Sequence, residues 1–324
     1  MPLFFCSVIL KENSMTKLFL LYLLVINVAA FVLYGNDKRR AVRHQWRIPE
    51  AELLLAAFLG GGAGAFLGMH LFHHKTKKWK FRILVPLSIV IWVLAAAFLI
   101  YTGQYYHAGE TAEKYIENAD DLPAVMNDAA VTVTKDDDGY FFDGPGSDTA
   151  VIFCPGAKVQ TEAYAPLMYL TAQEGYDCFL LDMPFHLAFF GMNRAEEVME
   201  EHSGYDHWYI SGHSLGGAMA GIYASKHLDA FDGVIFMAAY PTKSLKKDGF
   251  RALSIYGSND GVLNQDHYQE NLSLMPDDFT EVVIDGGNHS QFGDYGRQAG
   301  DGKASIREEK QWTEAAEAVK QFLQ

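Results

Sequence analysis

Apolar positions fall into two patterns along this chain: three long runs near the N-terminus, then a series of short ones separated by helix-length intervals. The long runs cover residues 18–34, 53–72 and 83–101. The first and third are long enough to cross a bilayer as helices, and the third is almost free of polar groups. The second is interrupted by Gly60-Gly61-Gly62-Ala63-Gly64 and again by Gly68. Small residues let neighbouring helices approach closely, which makes a closely packed crossing the plainer reading. The alternative is a hairpin whose backbone is buried in protein.

From Val131 the runs shorten. Residues 131–134 and 140–142 alternate as strands around Asp136-Asp137-Asp138-Gly139, a hairpin-like turn. That acidic run lacks the ligand spacing of a calcium loop. Further apolar runs at 150–154, 178–181, 208–210, 234–237, 252–256 and 282–284 read as strands. Helical patterns fall between most of them, at 162–173, 195–201, 215–226 and 265–273, and 312–322 closes the chain. Short, nearly all-apolar strands alternating with helices predict an α/β fold whose mostly parallel sheet is covered on both faces, with the two leading strands as an antiparallel edge.

Charge sharpens the division. Residues 35–82 carry ten Lys/Arg against three Asp/Glu, whereas 83–324 carry 14 against 36. The acidic body disfavours nucleic acid as a partner. Arg and Lys flank both sides of the second run, so a full crossing would leave one basic loop outside, against the positive-inside tendency. The cluster from Lys75 to Arg82 abuts the third run, which predicts a cytoplasmic cluster and an extracytoplasmic body. Gly35-Asn36-Asp37-Lys38-Arg39-Arg40 reads as a stop-transfer flank rather than a signal-peptide cleavage site, and Met15 is an alternative start. The expected organisation is a membrane head over 1–103, an acidic connector over 104–130 and a catalytic domain over 131–324.

Cys6, Cys154 and Cys178 are too scattered for a disulfide framework, and the last two read as buried thiols. The adjacent His73 and His74 are a weak metal signal in a cationic loop. No metal or cofactor is called for.

The chemistry concentrates in Gly212-His213-Ser214-Leu215-Gly216-Gly217, between a strand-like and a small-residue helical run. Gly-X-Ser-X-Gly is weak alone, but its glycines permit a strand to turn sharply into a helix and lift the serine from the sheet edge. Ser214 is the expected nucleophile. Asp260, in Gly257-Ser258-Asn259-Asp260-Gly261, is the expected orienting acid; its rivals are Asp182, which precedes Ser214, and Asp285, which reads as a turn former. His289, in Gly286-Gly287-Asn288-His289-Ser290, is the expected base, and His213 is expected in packing. The backbone N–H groups of Leu215 and Ala157, the latter in Pro155-Gly156-Ala157-Lys158, are the expected oxyanion donors. Phe185, Phe189, Phe190 and Lys158 are candidate substrate contacts. The aromatic segment around Pro184 has buried packing or bilayer contact as its alternatives.

Two resemblances accompany these readings. Residues 16–103 resemble a small uncharacterised bacterial membrane-protein family through Tyr34-Gly35-Asn36-Asp37-Lys38, Trp46-Arg47-Ile48-Pro49-Glu50, the Gly60–Gly68 run and Phe72-His73-His74-Lys75-Thr76; this implies membrane location and no chemistry. Residues 149–324 resemble the compact α/β-hydrolase family related to dienelactone hydrolases and small esterases. The stretch 154–159, residues 212–217, Ser258-Asn259-Asp260-Gly261 and residues 286–292 carry the likeness, which implies the α/β-hydrolase fold and the triad assigned above. Dienelactone hydrolases proper use cysteine where this chain has Ser214, so oxygen-ester chemistry is favoured. The expectation is a membrane-attached serine hydrolase, a carboxylesterase or lipase-like enzyme, acting on a small-molecule or lipid ester, with membrane lipid around its N-terminal helices. A peptidase or amidase, a thioesterase and a non-catalytic membrane scaffold are the alternatives. Oligomeric state is not legible.

Overall fold

In the computed structural model residues 14–117, 131–146 and 148–324 are described; Cys6 and connector residues 118–130 lie outside them. The chain divides into two compact units, Met1–Tyr101 and Thr102–Gln324.

The first unit contains α1 (Ser14–Val42), α2 (Glu50–Ala56), a π-helical turn (Ala57–Gly61), α3 (Gly62–Leu71) and α4 (Trp79–Thr102). By length and composition α1, the α2–α3 segment and α4 are each apolar enough to cross a membrane. The middle segment, however, is not one rod. Gly60 has φ 106°, a left-handed value that glycine adopts at little cost, and the run reverses there. Both ends of the segment reach Asp37 of α1: Ile48 N donates to Asp37 Oδ1 at 3.0 Å, and His74 Nε2 lies 2.7 Å from Asp37 Oδ2. Its turn instead reaches Asn27, whose Nδ2 donates to Gly60 O at 2.8 Å. At 1.5 Å per residue, the ten residues from Asn27 to Asp37 make the hairpin about 15 Å deep. Residues 53–72, for which a packed crossing is the plainer expectation, thus form a helical hairpin that turns at Gly60.

A reversal inside an apolar unit frees backbone groups that hydrocarbon cannot satisfy. Side chains of the flanking helices take them up one by one. Trp92 Nε1 donates to Phe58 O at 2.8 Å, Tyr22 Oη to Leu59 O at 2.6 Å and Asn27 Nδ2 to Gly60 O, while Gly64 N donates to Asn27 Oδ1 at 2.8 Å. The hairpin also removes the charge conflict posed by the sequence, because both basic loops now lie at one end of the unit. Arg47 sits 3.0 Å and Lys75 3.6 Å from Asp37, and Lys75 and Lys78 both pair with Glu50.

The second unit is built on one eight-stranded sheet: β1 (Thr132–Lys135), β2 (Gly139–Asp143), β3 (Thr149–Cys154), β4 (Asp177–Leu181), β5 (His207–His213), β6 (Gly233–Met237), β7 (Arg251–Gly257) and β8 (Asp278–Ile284). Their order is β1-β2-β4-β3-β5-β6-β7-β8. β3 to β8 are parallel, and β1 and β2 form the antiparallel edge the alternation predicted. In the β1–β2 turn Asp136 Oδ1 accepts from Asp138 N and Gly139 N, both at 2.9 Å, so the acidic run closes on its own backbone.

Strand periodicity sorts the core into two layers. Val151, Phe153, Leu180 and Leu253 face α6 (Ala165–Gln173) and α10 (Glu308–Leu323). Ala150, Ile152, Phe179 and Val234 face α7 (Arg194–Glu201) and α8 (Leu215–Ala224). Cys154 and Cys178 are buried and unpaired, and burial pushes the Cys154 thiol up to about 12. The start of the connector folds as α5 (Glu110–Glu117), whose Tyr115 packs edge-on against Tyr169 at 5.2 Å.

Candidate active site

Parallel strands bring their C-terminal ends, and the loops that leave them, to one edge of the sheet. β5 ends at His213 and α8 begins at Leu215, so Ser214 makes the whole turn, at φ 53° and ψ −121°. That conformation is strained for a residue with a side chain. The chain can cross itself so closely because Gly212 and Gly216 have none: a Cβ on Gly212 would lie 2.6 Å from the Gly216 carbonyl carbon, and one on Gly216 would strike the carbonyls of Cys154 and Pro155. Ser214 N donates to Met237 O at 2.9 Å, and Ala218 N to Ser214 O at 3.0 Å, which holds the turn from both sides.

Asp260 leaves the end of β7. Its Oδ1 accepts from Val262 N and Leu263 N, both at 2.8 Å, and its Oδ2 lies 2.9 Å from His289 Nδ1. With both oxygens engaged the carboxylate is fixed, and it in turn fixes the imidazole with Nε2 directed away. His289 follows β8 and is 1% exposed; its Nε2 is buried with no hydrogen-bond partner among the described residues. Ser214, Leu215 and His289 line a single cavity of about 280 Å³, together with Ala238, Tyr240 and Leu263. The rival acids are used elsewhere: Asp182 accepts from Thr161 Oγ1 at 2.8 Å, and Asp285 accepts from Ser258 Oγ at 3.4 Å in the turn after β8.

Ala157 lies in the tight turn after β3, and neither its N–H nor that of Leu215 donates to a described residue. Leu215 lines the cavity; Ala157 does not. Phe185, Phe189, Phe190 and Lys158, expected as substrate contacts, are also absent from its lining. Left-handed φ values at Phe185 and His186 turn the aromatic segment outward. Its three phenylalanines are 45–49% exposed, and Phe189 and Phe190 line a separate surface cleft with Arg194 and Glu197. Buried packing is therefore excluded for these rings. The cavity walls come instead from the loops after β6 and β7, which continue the strand-end rule one and two strands further along the sheet.

His213 is packed as expected. Its Nδ1 is 2.8 Å from Tyr164 Oη, which also accepts from Gly156 N at 3.1 Å, and its ring stands 4.5 Å from that of His289. Burial, reinforced by the neighbouring His289, pushes the His213 imidazole well below its ordinary value of 6.5. A neutral His213 places no second cation beside the His289 ring. Above 6.5 its contribution to stability is fully present, and below it the unfolded chain gains a proton that the folded chain refuses. Between pH 7.5 and 5.5 wild-type unfolding free energy is expected to fall more steeply than that of His213→Gln, by about 1 kcal/mol per pH unit below 6.5. Denaturant titrations at the two pH values check this.

Asp301 was not anticipated. It is 3% exposed; Oδ1 accepts from Gly261 N and His289 N, both at 3.2 Å, and Oδ2 accepts from Ser290 N at 2.8 Å and Ser290 Oγ at 2.5 Å. One carboxylate thus ties the loop that carries Asp260 to the loop that carries His289. Burial raises its pKa, but the hydrogen bonds from Ser290, Gly261 and His289 outweigh this and hold it below the ordinary aspartate value.

Residues 150–313 match the profile of the alpha/beta hydrolase family, and residues 27–81 match that of a protein of unknown function (DUF1294). The chain belongs to the alpha/beta hydrolase family and carries a DUF1294 segment ahead of its hydrolase body. That N-terminal part is similar to the uncharacterised protein YsdA of Bacillus subtilis (strain 168), 49% identical over 70 residues, which are 22% of this chain and 79% of that one. Among solved structures, a predicted CIB-like hydrolase from Thermoplasma acidophilum is 16% identical with a TM-score of 0.44, covering 59% of this chain and 99% of its own. A monoacylglycerol lipase from Paleococcus ferrophilus is 15% identical at 0.45, with coverages of 60% and 98%. A dienelactone hydrolase from Anabaena variabilis is 11% identical at 0.44, with 60% and 97%.

Proposed function

We propose that this hydrolase is a membrane-attached serine esterase that cleaves small carboxylic esters through an acyl-enzyme on Ser214. The observation that carries the reading is that one cavity is lined both by a serine on a strained turn and by His289, whose buried Nε2 has no hydrogen-bond partner among the described residues. In this reading His289 Nε2 takes the Ser214 hydroxyl proton as Oγ attacks the ester carbonyl, and Asp260 holds the opposite Nδ1–H. The oxyanion is received by Leu215 N–H, with Ala157 N–H, in the turn after β3, as the second donor. His289 then protonates the leaving alcohol, and water cleaves the acyl-enzyme by the same steps reversed. The exposed Phe185, Phe189 and Phe190, and Lys158, have no part in acyl binding here.

Cavity size narrows the substrate. A volume of about 280 Å³ walled by Ala218, Ala238, Ala239 and Leu263 suits a short acyl group. With p-nitrophenyl esters, kcat/KM is expected to be at least about tenfold higher for butyrate than for palmitate, each missing contact or clash being worth ~1–3 kcal/mol. Equal or greater rates on palmitate would contradict the short-acyl assignment.

The shared end of the two basic loops supports a cytoplasmic position for them, with α1 and α4 as the crossing helices and the hydrolase body beyond Tyr101 outside. This placement also argues against acyl-CoA thioesters as substrates.

A further inference from the structure

We infer that the membrane unit carries a binding cleft for an anionic glycerophospholipid, built from the C-terminal end of α1 and Phe72 at the close of the re-entrant hairpin. The cleft measures about 460 Å³. Phe31 and Phe72, whose rings are 5.0 Å apart, and Val42 supply an apolar wall, and Lys38, Arg39 and Arg43 supply the rim. Gly35 makes the joint possible, since a Cβ there would lie 3.0 Å from the Phe72 ring. The inference rests on the reading that this unit is embedded in a membrane.

What separates this cleft from general basicity is the apolar wall beside its cations, because Arg40, Lys77, Lys80 and Arg82, outside it, also have no carboxylate partner among the described residues. Arg47, Lys75 and Lys78 are consumed by Asp37 and Glu50. Among the described residues Lys38, Arg39 and Arg43 have no carboxylate in reach, although they stand on the same end of the unit. Acidic groups are scarce there, three against ten cations between residues 35 and 82, so this stretch of the chain supplies little compensating charge of its own. Trp46 and Trp79, in the two basic loops of this unit, are 89% and 67% exposed, as expected of side chains lying at headgroup level. A ligand that fits has an acyl chain for Phe31, Phe72 and Val42 and a net negative phosphodiester for the three cations. A zwitterionic lipid brings its own ammonium and leaves the rim uncompensated, and free phosphate leaves the apolar wall empty.

The test uses the full chain. Membranes are first washed with alkaline carbonate; release of the chain overturns the membrane reading and this inference with it. Retained chain is then purified in detergent, delipidated and offered equal dioleoyl phosphatidylglycerol and dioleoyl phosphatidylcholine, and bound lipid is counted by native mass spectrometry. Wild type is expected to retain phosphatidylglycerol at least about tenfold over phosphatidylcholine, given the contribution of each cation near the headgroup. The R39Q/R43Q variant is expected to lose that preference. K77Q/K80Q, an equal change of charge outside the cleft, is expected to keep it, and inorganic phosphate is expected not to displace the lipid. Equal retention of both lipids by wild type, equal losses in the two variants, or displacement by phosphate would each overturn the cleft while leaving the membrane reading intact.

Discussion

Ser214→Ala is expected to lower ester turnover about a millionfold, to the residual rate set by the oxyanion donors and binding alone. His289→Ala should fall to about the same level, because attack and proton removal are one event and losing either partner loses both. Asp260→Asn should cost less, about ten-thousandfold, since it leaves the imidazole in place but removes the acceptor that fixes its tautomer. The double variant S214A/H289A should be no slower than either single one. Burst and steady-state kinetics on p-nitrophenyl butyrate measure all four. Additive losses would mean that the two residues do not act as a unit.

Asp301→Ala is expected to be the most damaging change outside the reacting groups. It strips partners from the buried N–H groups of Gly261, His289 and Ser290 and from the Ser290 hydroxyl, so unfolding free energy should drop by about 3–5 kcal/mol. Asp301→Asn keeps one acceptor oxygen and should lose less. The depressed pKa sets the acid behaviour. Stability from Asp301 is fully present above its ordinary value of 3.8 and is lost as pH falls below that. Denaturant unfolding of wild type and both variants at pH 7 and pH 3.5 resolves this: the gap between wild type and Asp301→Ala should narrow at the lower pH.

The order of Ser214, Asp260 and His289 was legible because each stands at the end of an apolar strand in a run of turn-forming residues. The sheet was legible for the same reason, from strands buried on both faces. β8 shows the limit. Its second half, 282–284, is apolar and was read, but Asp278-Phe279-Thr280-Glu281 lies on the exposed sheet edge, where nothing enforces an apolar pattern. Asp301 left no signal, since its partners are backbone groups of residues 11 to 40 positions earlier. The phenylalanines after β4 point to a cavity wall there, yet small residues such as Ala238 and Ala239 line the cavity after β6. A binding wall is marked by the space it leaves, which composition does not record. The hairpin at Gly60 is the less plain reading of the sequence. What decides it is Asn27, Tyr22 and Trp92, polar groups inside the flanking apolar helices whose targets are 33 to 37 residues away.

The most direct measurement of the central claim is reaction of the full chain, in membranes, with a fluorophosphonate, followed by peptide mass spectrometry. An adduct on Ser214 that forms in wild type and disappears in His289→Ala is the result predicted. A folded wild-type chain that stays unlabelled, or one that labels as fast without His289 as with it, would contradict an activated serine at this site.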